Sequence, residues 1–180
     1  MIVAEAIRLA DEVGFERLTL TEIARRFGIA QPSLYKHINS LDGLQRLLTL
    51  RMLTELGSTL RQAATGKSGS DAVRATARGY RAFAQSHPGC YASILRAPAP
   101  EDDQAAQAMR EILSTLYDIF AGYGIEGDDA VDAARYLRST LHGFVSLELS
   151  GGFAMPRPVD RSFERLTRAI DLALRNWCIE

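Results

Sequence analysis

Cysteine is nearly missing from this chain: Cys90 and Cys178 are the whole complement, and they stand far apart in sequence. That excludes a disulfide framework and fits reduced thiols, so a cytoplasmic location is the expectation. Histidine, cysteine and carboxylates nowhere cluster at metal-ligand spacing, and neither a metal centre nor a cofactor is expected. No apolar run approaches the ~20 residues of a membrane-spanning helix. Glu5 follows Met1-Ile2-Val3 so closely that a secretory leader is not expected either. Gly66-Lys67-Ser68 has the ending of a phosphate loop but lacks the upstream glycine and strand, which argues against a nucleotide site. Cys90 beside His87 in a Pro-Gly turn defines neither an oriented base nor an oxyanion site, so no enzyme chemistry is expected. The net charge is −1, which argues against indiscriminate coating of a polyanion.

What is present is helical pattern. The 180 residues are 47% hydrophobic, enough for a substantial core, and no strand-like alternation competes. Val3, Ala6, Ile7, Ala10 and Val13 line one face of a first helix ending at Gly14. Leu18 to Leu41 then read as two short helices around a tight turn. Thr19 and Glu22 have the S/T-x-x-E spacing in which the hydroxyl caps the helix and the carboxylate reaches back to the cap's amide. Ile23, Ala24 and Phe27 share a face, and Gly28 stands where the chain must take a positive φ. The second helix starts near Ala30 or Gln31 with Pro32 in its first turn, and Leu34, Ile38 and Leu41 keep its inner face apolar.

Such a helix pair presents a side-chain row to a DNA groove. Its second helix enters the major groove with N-terminal residues at base edges, and an amide such as Gln31 bonds adenine bidentately. Tyr35, Lys36 and His37 suit phosphate oxygens. From Thr19 to Arg51 the bases Arg25, Arg26, Lys36, Arg46 and Arg51 outnumber Glu22 and Asp42 by three charges. Arg25 and Arg26 either solvate an exposed helix or contact phosphate.

Leu34-Tyr35-Lys36-His37, with Gln31-Pro32-Ser33 before it, resembles the recognition helix of the tetracycline repressor (TetR) family. The resemblance implies base contacts from Gln31, Pro32 and Ser33, backbone contacts from Thr19, Tyr35 and His37, and a further reading position at Thr21. Ala30 departs from the Ser or Thr cap of many relatives, which removes an acceptor worth about 1 kcal/mol. Met1 stands almost at the first helix, where many relatives carry a basic arm, so arm contacts are not expected.

Beyond the head, Ser40 or Asn39 caps a fourth helix through Leu44, Leu47, Leu48, Met52 and Leu56 towards Ala64. Breaks at residues 65–70, 87–91 and 122–127 separate further helices. Met109, Ile112, Leu113, Leu116, Ile119 and Phe120 form one stripe, and Val131, Ala134, Leu137, Leu141, Phe144 and Leu147 another. A dimer interface is expected at Ser139, Gly143 and Ser146, whose small side chains permit close approach, together with Phe163, Leu166, Ile170 and Leu174 of the last helix. Leu141-His142-Gly143-Phe144 resembles a TetR-family ligand-domain subgroup with a Trp-His-Gly motif, Leu141 replacing the Trp. Tyr80, Phe83, Tyr91, Leu95, Met109, Tyr117, Phe120, Tyr136 and His142 either line an effector pocket or fill the core. The expected architecture is all-α: a three-helix DNA-binding head over residues 1–46 and a larger ligand-binding and dimerisation domain over 47–180. The expected function is that of a homodimeric regulator, with an operator duplex, a second copy and a small-molecule effector as partners and no membrane. The competing expectation is a helical binding protein that no longer uses its head.

Overall fold

Local signals set the first turns of the computed structural model, which describes residues 2–35 and 38–177, with Gln31 and Ser33 followed through their backbone alone. Helix α1 (Ile2–Val13) buries Ala6, Ile7, Leu9 and Ala10, and a 3-10 turn (Phe15–Arg17) follows. Helix α2 (Leu20–Phe27) starts where Thr19 Oγ1 accepts the Glu22 N–H at 3.2 Å. It ends at Gly28, whose φ of 63° and ψ of 28° place it in the left-handed region that a side chain would strain. Helix α3 (Gln31–Leu34) opens with Pro32 in its first turn, and Ala30 before it makes no side-chain cap bond. The Ile38 N–H still bonds Leu34 O at 3.1 Å, and both side chains are buried.

Leu41 does not continue that inner face. Ser40 Oγ accepts the Gly43 N–H at 3.0 Å, so Leu41 is the first residue of helix α4 (Leu41–Ala64). Leu44, Leu48, Met52, Leu56 and Leu60 repeat every four residues and bury. Leu47 lies about 100° round the helix from Leu48 and is exposed. Helices α5 (Gly69–Ser86), α6 (Asp103–Ala121), α7 (Gly127–Leu149) and α8 (Val159–Arg175) complete the chain, with a short 3-10 helix at Tyr91–Ile94. No strand occurs among the described residues, and none of their helices is long and apolar enough to cross a membrane.

The chain forms two compact units: residues 1–55 with 86–108, and residues 56–85 with 109–180. The first holds the helix-turn-helix and a returning segment whose turn meets α1. Gly89 packs so closely there that a Cβ would stand 1.8 Å from Ala10 O. The second unit buries Val73, Ala77, Tyr80 and Phe83 of α5, Phe120 of α6, Leu137, Leu141 and Val145 of α7, and Phe163, Ile170 and Leu174 of α8. Arg81 crosses this unit from α5: it donates to Glu148 of α7 at 2.8 Å, pairs with Asp160 of α8 at 2.8 Å, and lies 4.7 Å over the Phe163 ring.

Candidate nucleic-acid interface

The recognition segment is presented by what surrounds it. Gly28 and Pro32 fix the turn and the start of α3, Leu34 and Ile38 anchor it, and the Pro32 and Tyr35 side chains are left to solvent. Of the expected reading residues, Thr19, Thr21, Pro32 and Tyr35 are exposed, Tyr35 by 51%. Gln31 and Ser33 lie within α3, and their side chains fall outside the described residues, as do Lys36 and His37 altogether. Ile29, not among the expected readers, is exposed beside them; its place between Gly28 and the start of α3 is the signal that could have found it.

The electrostatics differ from the sequence sum. Glu22 engages Arg25, whose Nε donates to it at 3.0 Å, and this contact lowers the carboxyl's pKa. Arg26 reaches α1: Nε donates to Glu5 at 3.0 Å and Nη1 to Glu12 at 2.8 Å, and its pKa is raised by Glu12 first and then Glu5. It is therefore a strut between two helices. Arg46 holds Asp102 through two bonds, Nε to Oδ2 at 2.6 Å and Nη2 to Oδ1 at 2.7 Å. Asp102 also caps α6 by accepting the Ala105 N–H at 3.1 Å, and Arg46 above all holds its carboxyl below the usual range. Arg51 pairs with Glu55 at 3.6 Å. Four of the five expected cations thus have carboxylate partners.

The Cys90 thiol is not a nucleophile. It is fully buried with Sγ 3.8 Å from Ile7 O, and burial, then Asp11, pushes its pKa up to about 12. Among the described residues no cluster of His, Cys, Asp and Glu could hold a metal.

The expected effector residues divide between the units: Tyr91 and Leu95 in the first, the other seven in the second. Tyr80, Phe83, Tyr91 and Phe120 are buried in core, and Tyr136 packs its ring 5.5 Å from that of Trp177. Burial, then Arg138, lowers the His142 pKa. One cleft of about 350 Å³ in the second unit is lined by others, among them Arg61, Lys67, Glu111 and Asp118. Of the expected dimer residues, Ser139, Gly143 and Ser146 are exposed and Leu166 is half-buried. Phe163, Ile170 and Leu174 are at most 1% exposed, consumed by the protomer's own core. Of the expected apolar stripe of α7, Leu137 and Leu141 are buried and Leu147 is 52% exposed, while Val145, outside that stripe, is buried.

A capped helix, a left-handed glycine turn and a short proline-started helix with a solvent-facing row define a helix-turn-helix regulator. The comparisons agree: residues 2–44 match the tetR family of bacterial regulatory proteins, and residues 73–170 match the tetracyclin repressor-like C-terminal domain. The chain is 35% identical to the uncharacterized HTH-type transcriptional regulator Rv0681 of Mycobacterium tuberculosis, over 83% of this chain and 69% of that protein. It is 33% identical to the uncharacterized HTH-type transcriptional regulator YobS of Bacillus subtilis, over 82% and 76%. The crystal structure of the putative regulatory protein SCO4313 superposes with a TM-score of 0.76 at 26% identity, covering 94% and 92% of the two chains. The chain belongs to the TetR family of transcriptional regulators, a family of regulators and not of enzymes.

Proposed function

We propose that this chain is a homodimeric one-component repressor in which residues 1–46 read a palindromic operator and residues 47–180 dimerise and accept a small-molecule effector that releases the DNA. The observation that carries the DNA half is the sidedness of the recognition segment: Leu34 and Ile38 are buried while Pro32 and Tyr35 stand in solvent. Gln31, Pro32, Ser33 and Thr21 then meet base edges, and Thr19, Tyr35, Lys36 and His37 the backbone. Two such helices, about 34–36 Å apart, read successive major grooves.

The exposed α7 and α8 residues support the dimer. Ser139, Gly143, Ser146 and Leu147 on α7 and Leu172 on α8 remain open after the protomer core is filled. For the effector, support comes from Thr76 on α5: the residue is 1% exposed, and its Oγ1 has no hydrogen-bond partner among the described residues. A ligand's polar group would satisfy it. An effector that binds better to the wrongly spaced dimer releases the operator by population shift. Repression rather than activation, and work in the cytoplasm, are assigned from the family resemblance.

Selection of bound sequences from a random duplex pool tests the reading. An enriched palindrome whose binding is lost in Tyr35→Ala, with unfolding unchanged, is the expected result. A folded dimer that enriches nothing, with or without candidate effectors, would favour a binding protein with an unused head, a reading that the uncapped Ala30 also suits.

A further inference from the structure

The unit that holds the helix-turn-helix contains a cleft of about 470 Å³ whose walls come from three of its own segments. Phe15 and Glu16 enter it from the 3-10 turn before α2, and residues between Asp42 and Leu53 from the start of α4. The third wall belongs to the returning segment, between Ala92 and Ala105, which leads into α6. The volume lies in the range of about 300–1,000 Å³ that small-molecule sites occupy. Phe15, Leu53, Ala97 and Pro98 give the cleft apolar surface, with few polar groups among them. Such a lining holds an apolar body, and its polar groups fix the body's orientation.

Two features of this lining ask for a partner. Ser93, on the short 3-10 helix, lines the cleft, and its Oγ is buried with no hydrogen-bond partner among the described residues. A buried hydroxyl left unpaired is costly. Rotation about χ1 alone redirects a serine hydroxyl, so a polar group in the cleft can supply the missing bond.

Charge is the second feature. Arg46 and Asp102 at the wall neutralise each other through bonds of 2.6 and 2.7 Å. That leaves Glu16 and Asp42 against Arg96, all three exposed and none in an ion pair among the described residues. Two carboxylates against one guanidinium leave one negative charge over, and a ligand carrying one positive charge balances it. An anion of the same shape would add to the excess.

We propose that this cleft is a ligand site within the DNA-binding unit itself and that it takes a small organic amine. The ammonium is held by Glu16 and Asp42, the apolar body lies against Phe15, Leu53 and Pro98, and a hydroxyl or carbonyl on that body bonds Ser93. The occupant joins the corner leading to Thr19 and α2 to the start of α4, so its binding stabilises the unit that carries the helix-turn-helix. The site stands apart from the effector reading of the second unit and does not rest on it.

The probe is tyramine, an aromatic ring with an ammonium at one end and a hydroxyl at the other, added to the full chain at about pH 7. Its controls are the analogue with a carboxylate in place of the ammonium, and phenethylamine, which lacks the hydroxyl. We expect tyramine to shift the amide resonances of Ser93 and Ala97 and to leave in place those of Ser114 and Asp118, in the cleft of the second unit. Each control should bind about threefold or more weakly than tyramine. Ser93→Ala should lower tyramine affinity to that of phenethylamine. Without ligand it should be no less stable than the parent, because its hydroxyl has no partner to lose. Glu16→Gln combined with Asp42→Asn, both at exposed positions, should erase or reverse the preference for tyramine over its carboxylate analogue, and so decides the matter if Ser93→Ala unfolds. Shifts confined to the second unit, no shift at about 5 mM tyramine, equal affinity for tyramine and its carboxylate analogue, or unchanged tyramine affinity in a folded Ser93→Ala would each overturn the site.

Discussion

Gly89→Ala is the substitution whose cost the structure constrains most tightly. An added Cβ would stand 1.8 Å from Ala10 O, 2.6 Å from Ala10 C and 2.7 Å from Asp11 Cα, all backbone atoms that no rotamer change moves. Relief requires the turn and the end of α1 to separate by about 1 Å or more, since overlap this deep cannot be absorbed by side-chain adjustment. Separation stretches the Gly89 and Cys90 amide bonds to Asp11, both 3.0 Å, and the Phe15 to Gly89 bond at 3.3 Å. Keeping the geometry instead leaves overpacking strain of about 1–3 kcal/mol or more. Giving it up forfeits two bonds to a carboxylate at about 1.5–3 kcal/mol each and one neutral bond at about 1 kcal/mol. The molecule takes the cheaper mixture, so the expected loss is about 2–4 kcal/mol. For a chain of this length that lowers Tm by roughly 5–15 °C. Denaturant unfolding followed by circular dichroism measures it against the parent protein. A Gly89→Ala loss below about 0.5 kcal/mol, the ordinary surface range, would refute the close-packed turn.

Asp102→Asn should lower stability at neutral pH, because it removes the carboxylate that Arg46 holds by two bonds. Arg46 depresses the Asp102 pKa below 3.8, so the parent's advantage should persist above that pH and disappear as pH falls through the lower folded value. Acid titration of unfolding in both proteins reads this, and an advantage that vanishes already near pH 6 would contradict the assignment. Gly143→Arg places a long cation on the open face of α7, where an added Cβ meets nothing within 4 Å. Replacing a mid-helix glycine should favour the helix by about 0.5–1 kcal/mol while the partner's approach is blocked. Sedimentation should then find helical protomers, and a dimer of unchanged affinity would move the interface elsewhere.

The features legible in the sequence are those whose partners lie within a few residues. Thr19 caps α2 through Glu22 N three positions on, Gly28 ends it, Pro32 starts α3 and Ser40 caps α4, each a contact of backbone with a near neighbour. Helix faces were readable where one periodic row dominates, as in α4. In α7, apolar residues occur on several sides, and the pattern did not decide between Val145 and Leu147 for the inner position. The role of the 87–90 turn was not legible at all. His87 meets the carboxylates of Asp11 and Glu55 across 76 and 32 positions, and Gly89 matters only because a distant helix end lies against it.

The same difference in reach governs the charge of the head. Summing residues 19–51 counts Arg26 and Arg46 as free cations because Glu5, Glu12 and Asp102 lie outside that window. Folding neutralises them, and it also separates two adjacent arginines that the sequence leaves equivalent. Arg26 bridges two carboxylates of another helix, so turning it to a phosphate would undo the packing of α2 on α1. Arg25 pairs one turn away on its own helix and keeps 72% of its side chain exposed, and an ion pair so open contributes little and is readily exchanged. When a phosphate approaches, Arg25 can leave Glu22 without moving any backbone, while Arg26 holds the surface in place. On the DNA-binding reading proposed above, Arg25 and not Arg26 is the arginine that can turn to a phosphate without disturbing the fold.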